Sequence, residues 1–164
     1  MTDLHQAFDD VIARYSGVDI AIDDEDVPWI PTEDYDNTYV KPLRFDVTNG
    51  VMISITWASG PAVVGRHRHH GLVLGYTLEG TWSYKERDWV AKPGTFVIEP
   101  PGVVHTLQTD NPTGFKTLFI EPATSDFFDD DGETTGVTSV FWLIDLYEKY
   151  CAANGLEIDK RLFV

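Results

Sequence analysis

Gly65-Arg66-His67-Arg68-His69-His70 puts three of the chain's five histidines into four consecutive positions, and a fourth, His105, stands downstream among prolines and glycines. Side chains on an extended strand alternate between its faces, so His67 and His69 point the same way and His70 points the opposite way. Two imidazoles on one strand face can share a cation. A third from another strand would leave coordination positions open for water, oxygen or a substrate. The pair alone also admits a plainer reading, because surface His-x-His pairs without a metal are common. On unbroken alternation the His67 and His69 face continues through Val73, Gly75 and Thr77, while Leu72, Leu74, Tyr76 and Leu78 join His70 on the other. The histidine face is then the inside of a small barrel, and the same parity makes Thr77 and Trp57 lining residues of its cavity.

Short apolar or alternating runs surround this stretch, at 39–45, 51–57, 72–78, 81–84, 95–99, 105–108 and 116–120. Turn residues separate them, among them Thr48-Asn49-Gly50, Ser59-Gly60-Pro61, Glu79-Gly80, Lys92-Pro93-Gly94, Pro100-Pro101-Gly102 and Asn111-Pro112. Breakers at this density, without helical spacing, predict an all-β antiparallel sandwich or barrel. Helices flank it. Leu4, Phe8, Val11, Ile12 and Tyr15 recur at helical spacing, and so do Ile144, Tyr147 and Cys151 before Asn154-Gly155. The chain reads as a single domain over 1–164: an N-terminal helix and arm over 1–37, a barrel core over 38–122, and an acidic loop with a C-terminal helix over 123–164. Val137 begins a further short apolar run after that loop. Trp29 and Ile30 anchor the arm between Pro28 and Pro31, and His5 is a surface or capping residue. The aromatic stripe of the C-terminal helix is core or subunit interface.

Composition narrows the function. Lys and Arg number 12 against 27 Asp and Glu, a formal net charge of -15, so nucleic acid and anionic membrane surfaces are repelled on average. The acidic runs, including Asp23-Asp24-Glu25-Asp26 and Asp129-Asp130-Asp131, are solvated loops, since the spacing of a calcium-binding EF-hand is not matched. The single cysteine, Cys151, cannot form an intramolecular disulfide and reads as a small core or helix-face residue. With no signal-peptide pattern at the start and no membrane-length apolar run, the expectation is a cytoplasmic protein.

Two motifs within 65–109 resemble the cupin superfamily: Gly65, His67, His69 and Gly80, then Gly94, Pro100, Gly102 and His105. The likeness implies a jelly-roll barrel in which His67, His69 and His105 ligate a metal. Two positions depart from the pattern: Val73 stands where the superfamily's glutamate ligand is expected, and Thr109 replaces an asparagine. Three imidazoles add no negative charge, so a divalent ion among them would favour an anionic bidentate ligand such as an enolate. The segments 65–71, 75–82, 88–94 and 99–107 are similar to the group that includes 2,4'-dihydroxyacetophenone dioxygenase and, more distantly, to acetylacetone-cleaving dioxygenase. These resemblances imply a non-haem Fe(II) dioxygenase that uses O2 to cleave a carbon-carbon bond of a small enolisable ketone. Zinc, nickel, copper or manganese also accept imidazole ligands.

Glu99 stands six residues before His105, where acetylacetone-cleaving dioxygenase carries a glutamate near its metal. The resemblance implies a role there as orienting group, weak fourth ligand or proton acceptor. A plainer alternative is a strand-ending glutamate bonded to backbone amides. Val73, Thr77 and Trp57 are the candidate substrate-lining residues. Partners are then a small-molecule substrate, O2 and further copies of the chain as a homodimer or homotetramer. The competing function is a non-catalytic, zinc-binding regulatory or sensor cupin.

Overall fold

The computed structural model describes residues 19–32 and 35–163. Its strands are β1 (Ile30–Pro31), β2 (Thr38–Asp46), β3 (Val51–Ala58), β4 (Ala62–His69), β5 (Val73–Gly80), β6 (Ser83–Tyr84), β7 (Phe96–Glu99), β8 (Val104–Thr109), β9 (Phe115–Pro122), β10 (Ser125–Phe128) and β11 (Thr134–Thr138), followed by helix α1 (Val140–Asn154). They form two antiparallel sheets. One has the order β1-β2-β3-β9-β5-β7 and the other β11-β10-β4-β8-β6. Alternation explains the burial: in β5, Val73, Gly75 and Thr77 are buried while Tyr76 and Leu78 are exposed.

Two features differ from the sequence reading. The histidine strand does not run on through residue 78: β4 ends at His69 and the chain crosses at Gly71 into β5, in the other sheet. A Cβ on Gly71 would stand 2.4 Å from the Pro122 carbonyl oxygen, so this crossing needs a residue without one. The acidic segment after residue 123 is also not all loop. Residues 125–128 form β10 and pair with β4, because Ser125 and Phe127 face inward and leave Asp126 to meet Arg68. The expected N-terminal helix and His5 lie outside the described residues.

Two apolar clusters form the core. Phe45, Ile30, Met52 and the α1 residues Val140, Leu143, Tyr147 and Cys151 make one; Val73, Trp82, Tyr84, Phe115 and Phe119 make the other. Each large side chain buried there contributes about 1.5–3 kcal/mol. Ser139 caps α1 by accepting from the Trp142 amide, and Gly155 ends it in the left-handed conformation. The acidic arm packs on its own domain: Ile30 pairs with Val40, Trp29 lies 5.2 Å from Trp57, and Asp24 salt-bridges the buried Lys41 at 2.6 Å. No helix among the described residues is long and apolar enough to cross a membrane.

Candidate metal centre

β4 delivers His67 and His69 to the interior, and β8 sets His105 directly opposite His67 in register. All three are buried, at 5%, 7% and 2% exposure, and each offers a ring nitrogen within 4.8 Å of the others'. His70 lies outside, with Nε2 2.8 Å from Asp126. Second partners set the rings. The Gly65 carbonyl, at an irregularity in the β4–β8 ladder, lies 2.7 Å from His67 Nδ1, and the Ser125 hydroxyl lies 2.7 Å from His69 Nδ1. Occupying Nδ1 leaves Nε2 as the free nitrogen of both rings. Tyr84 stacks flat on His105 at 3.8 Å, and Phe127 stacks on His67 at 5.1 Å.

Glu99 brings a carboxylate up to the three-histidine cluster. Val73 and Glu99 face each other across β5 and β7, and the acid lost from one strand is present on its neighbour. Glu99 Oε1 accepts a 2.5 Å hydrogen bond from the Tyr84 hydroxyl; Oε2 lies 3.1 Å from His69 Nε2 and 3.7 Å from His105 Nε2. Yet Oε2 and His105 Nε2 are buried without a hydrogen-bond partner among the described residues. Buried polar atoms are normally paired. Lone-pair atoms that converge without shared protons fit a cation, and the donor set suits a first-row divalent metal.

The electrostatics of two of the three histidines agree. Burial, helped by the neighbouring imidazoles, lowers His67 to about 4 and His105 to about 3, which keeps both neutral and ready as ligands. Burial also depresses His69, but the adjacent carboxylates of Glu99 and Glu121 outweigh it and hold the ring above its ordinary value. Glu99 is held below the usual carboxylate range: burial pushes it up, and His69 and Tyr84 more than offset that.

The cluster lies against a cavity of about 410 Å³. Val64, Leu107, Phe119 and Phe127 form apolar walls, and Tyr35, Tyr39, Trp142, His67, His69 and Glu99 also line it. Of the three residues expected to line it, none does. Val73 is fully buried in the apolar cluster; Thr77 is fully buried and accepts from Trp82 Nε1 at 3.0 Å; Trp57 lies on the outer face of β3, stacked on Tyr39. Parity alone named the inward face of β5, but the neighbouring side chains seal it.

Glu121, Ser125 and Phe127 are site residues that the sequence reading did not name. Alternation from the buried Thr117 and Phe119 would have led to Glu121. Its carboxyl is raised to about 7, chiefly by burial.

A family model described as ChrR Cupin-like domain matches residues 18–122. An RmlC-like cupin protein from Ralstonia eutropha JMP134 is 31% identical over 85% of this chain and 91% of its own, with a TM-score of 0.81. The chain belongs to the ChrR cupin-like family. This cupin also shares its fold with an acetylacetone dioxygenase from Acinetobacter johnsonii, at 14% identity over 81% of this chain and 92% of that one, TM-score 0.71. A further likeness, TM-score 0.50 at 21% identity, is to the complex of Rhodobacter sphaeroides SigE with the anti-sigma ChrR, covering 60% of this chain and 50% of that one. At these identities the last two show the cupin fold alone. No curated protein matches the chain.

Proposed function

We propose that this cupin is a non-haem Fe(II)-dependent dioxygenase that cleaves a carbon-carbon bond of a small enolisable ketone, of the hydroxyacetophenone or β-diketone type. The observation that carries the reading is the position of the cluster: three buried histidines and the unpaired Glu99 Oε2 stand against a cavity large enough for a small organic ligand. His67, His69 and His105 would hold the metal, with Glu99 beside them. Bound there, iron would supply Lewis acidity toward enolate oxygens and a redox centre for O2.

The chain's own residues do the rest. Gly65 and Ser125 fix the rings of His67 and His69. Tyr84 pins one Glu99 oxygen and leaves the other facing the histidine nitrogens, where it is placed to accept the proton an enolisable ligand loses on binding. Val64, Leu107, Phe119 and Phe127 exclude water around the ligand. The group containing 2,4'-dihydroxyacetophenone dioxygenase is the narrower assignment we favour. We further propose that the protein works as a homo-oligomer.

Iron-loaded protein, prepared without oxygen, is expected to consume O2 when β-diketones or hydroxyacetophenones are added, and His67→Ala and His105→Ala are expected to fold but hold no stoichiometric metal. Folded wild type that takes up no iron would sink the metal assignment. Family membership favours one rival, a zinc-holding regulatory cupin: tight zinc binding with no oxygen uptake from any of these ketones would select it.

A further inference from the structure

The cavity has a polar wall that the metal cluster does not use. On the inward face of the six-stranded sheet, Glu121 of β9 and Ser54 and Thr56 of β3 line it, and none of their side chains makes a hydrogen bond among the described residues. Met52 pairs with Glu121 and Ser54 with Phe119, so Ser54 and Glu121 are diagonal neighbours across the two strands. Two other polar groups of the lining are occupied: Ser125 is bonded to His69 and Tyr84 to Glu99.

Glu121 is not placed as a metal ligand. Its Oε2 approaches His69 at Nδ1, 4.0 Å away, whereas the free nitrogen of that ring is Nε2; the width of the imidazole lies between. Nδ1 already has the Ser125 hydroxyl at 2.7 Å. A largely buried carboxyl group that receives no hydrogen bond is costly to keep, and its cost is offset when a ligand supplies the missing donor. In either protonation state it retains a lone pair that can accept.

We propose that Glu121, with Ser54 beside it, is a specificity anchor that accepts a hydrogen bond from a hydroxyl or amine on the ligand, remote from the oxygens that face the metal. The inference rests on the ketone reading above and gives it a substrate class: a compact, largely apolar ketone with one hydrogen-bond donor at its far end. The apolar walls receive the body of such a molecule, and an analogue without the donor leaves Glu121 unpaired.

The test uses zinc-loaded protein, which binds without turnover, and calorimetric titration with benzoylacetone and its analogues hydroxylated at the meta or para ring carbon. Wild type is expected to bind at least one hydroxylated analogue about tenfold to a hundredfold more tightly than the parent, the range for a hydrogen bond to a charged group. Glu121→Leu should bring all three to equal affinity with zinc stoichiometry unchanged. Glu121→Gln, which keeps a neutral acceptor, should retain a smaller preference and serves as well if the leucine variant does not fold. Equal affinities in wild type, or a preference that survives in Glu121→Leu, overturn the anchor while leaving the ketone reading in place. Zinc loss in a folded Glu121→Leu variant also overturns it, by showing that Glu121 supports His69. If zinc is bound but no ketone binds at all, the ketone reading fails and the anchor with it.

Discussion

Tyr84 acts on two residues of the candidate metal centre at once: its ring stacks on His105 and its hydroxyl donates to Glu99. Tyr84→Phe keeps the stack and removes the donor, leaving both carboxylate oxygens without a hydrogen bond. The expected outcome is metal affinity weakened about tenfold to a hundredfold, by chelator competition, with a stability loss of about 1–3 kcal/mol in urea. The histidines themselves give the metal-free protein a pH dependence. His67 and His105 have folded values of about 4 and about 3 against 6.5 unfolded, so acid protonates the unfolded chain first. Stability therefore rises with pH from about 4 to 6.5 and levels off above, by up to about 1.4 kcal/mol per pH unit for each proton. His69, shifted upward, contributes stability that is present below 6.5 and lost as pH rises through its raised value. Glu121, raised to about 7 from 4.5, likewise contributes stability that is present in acid and lost as pH rises toward 7, so two groups oppose two in wild type. In metal-free Glu121→Leu only His69 opposes the pair, so its urea midpoint should fall between pH 7 and pH 5, and a flat profile in that variant would contradict the burial argument. Residue parity paired His67 with His69 and the cupin resemblance added His105, and the structure brings the three together. Parity did not find Glu121 or Ser125, because one stands near the end of a strand read as stopping at residue 120 and the other begins a strand hidden in an acidic run.

The motif glycines look alike in sequence but hold different elements together. Gly80 ends β5 at φ 67, and a Cβ there would sit 1.9 Å from the Gly114 carbonyl oxygen; Gly94, at φ 88, has nothing within 4 Å. Gly80→Ala must push apart the ends of β5 and β9, and is expected to cost more than about 3 kcal/mol or prevent folding. Gly94→Ala meets backbone strain alone and should cost about 1–2 kcal/mol. Thermal unfolding of the two variants checks the order, and equal losses would show that the β5–β9 contact yields. At this scale the sequence was informative where alternation meets a breaker: β2, β3, β5, β7, β8 and β9 fall where periodicity and turns placed them. The expected strand over 81–84 contracts to Ser83–Tyr84, and the run from Val137 divides between the end of β11 and the start of α1. Local pattern could not show that β4 and β5 belong to different sheets. That crossing depends on the close approach of Gly71 to Pro122, a contact between residues 51 positions apart.

Across the whole molecule, charge and apolar surface are segregated. The chain carries a formal charge of -15, yet the outer face of β5, β7 and β9 presents Leu74, Tyr76, Phe96, Ile98, Leu118 and Ile120, all uncharged. Phe96 and Ile98 are 56% and 59% exposed, and Tyr76, paired with Phe96, is 44% exposed. An apolar sheet face of this kind marks an interaction surface. A second copy is its best-matched occupant: two like-charged chains repel each other across their acidic surfaces and can meet where charge is missing, whereas a basic partner would be drawn to the acidic runs instead. Such a pair has a distinctive salt response. Repulsion between the acidic surfaces is screened as salt rises, while the apolar contact is not weakened, so association should tighten from about 0.02 to 0.2 M salt. Sedimentation equilibrium at micromolar protein is expected to show dimers or tetramers under the higher salt. A variant with Phe96→Lys and Ile98→Lys should remain monomeric, folded and able to bind metal, since neither side chain lines the cavity. A wild type that is monomeric throughout would leave this face to another partner, and association that weakens with salt would place the contact on charged surface rather than on β5 and β7.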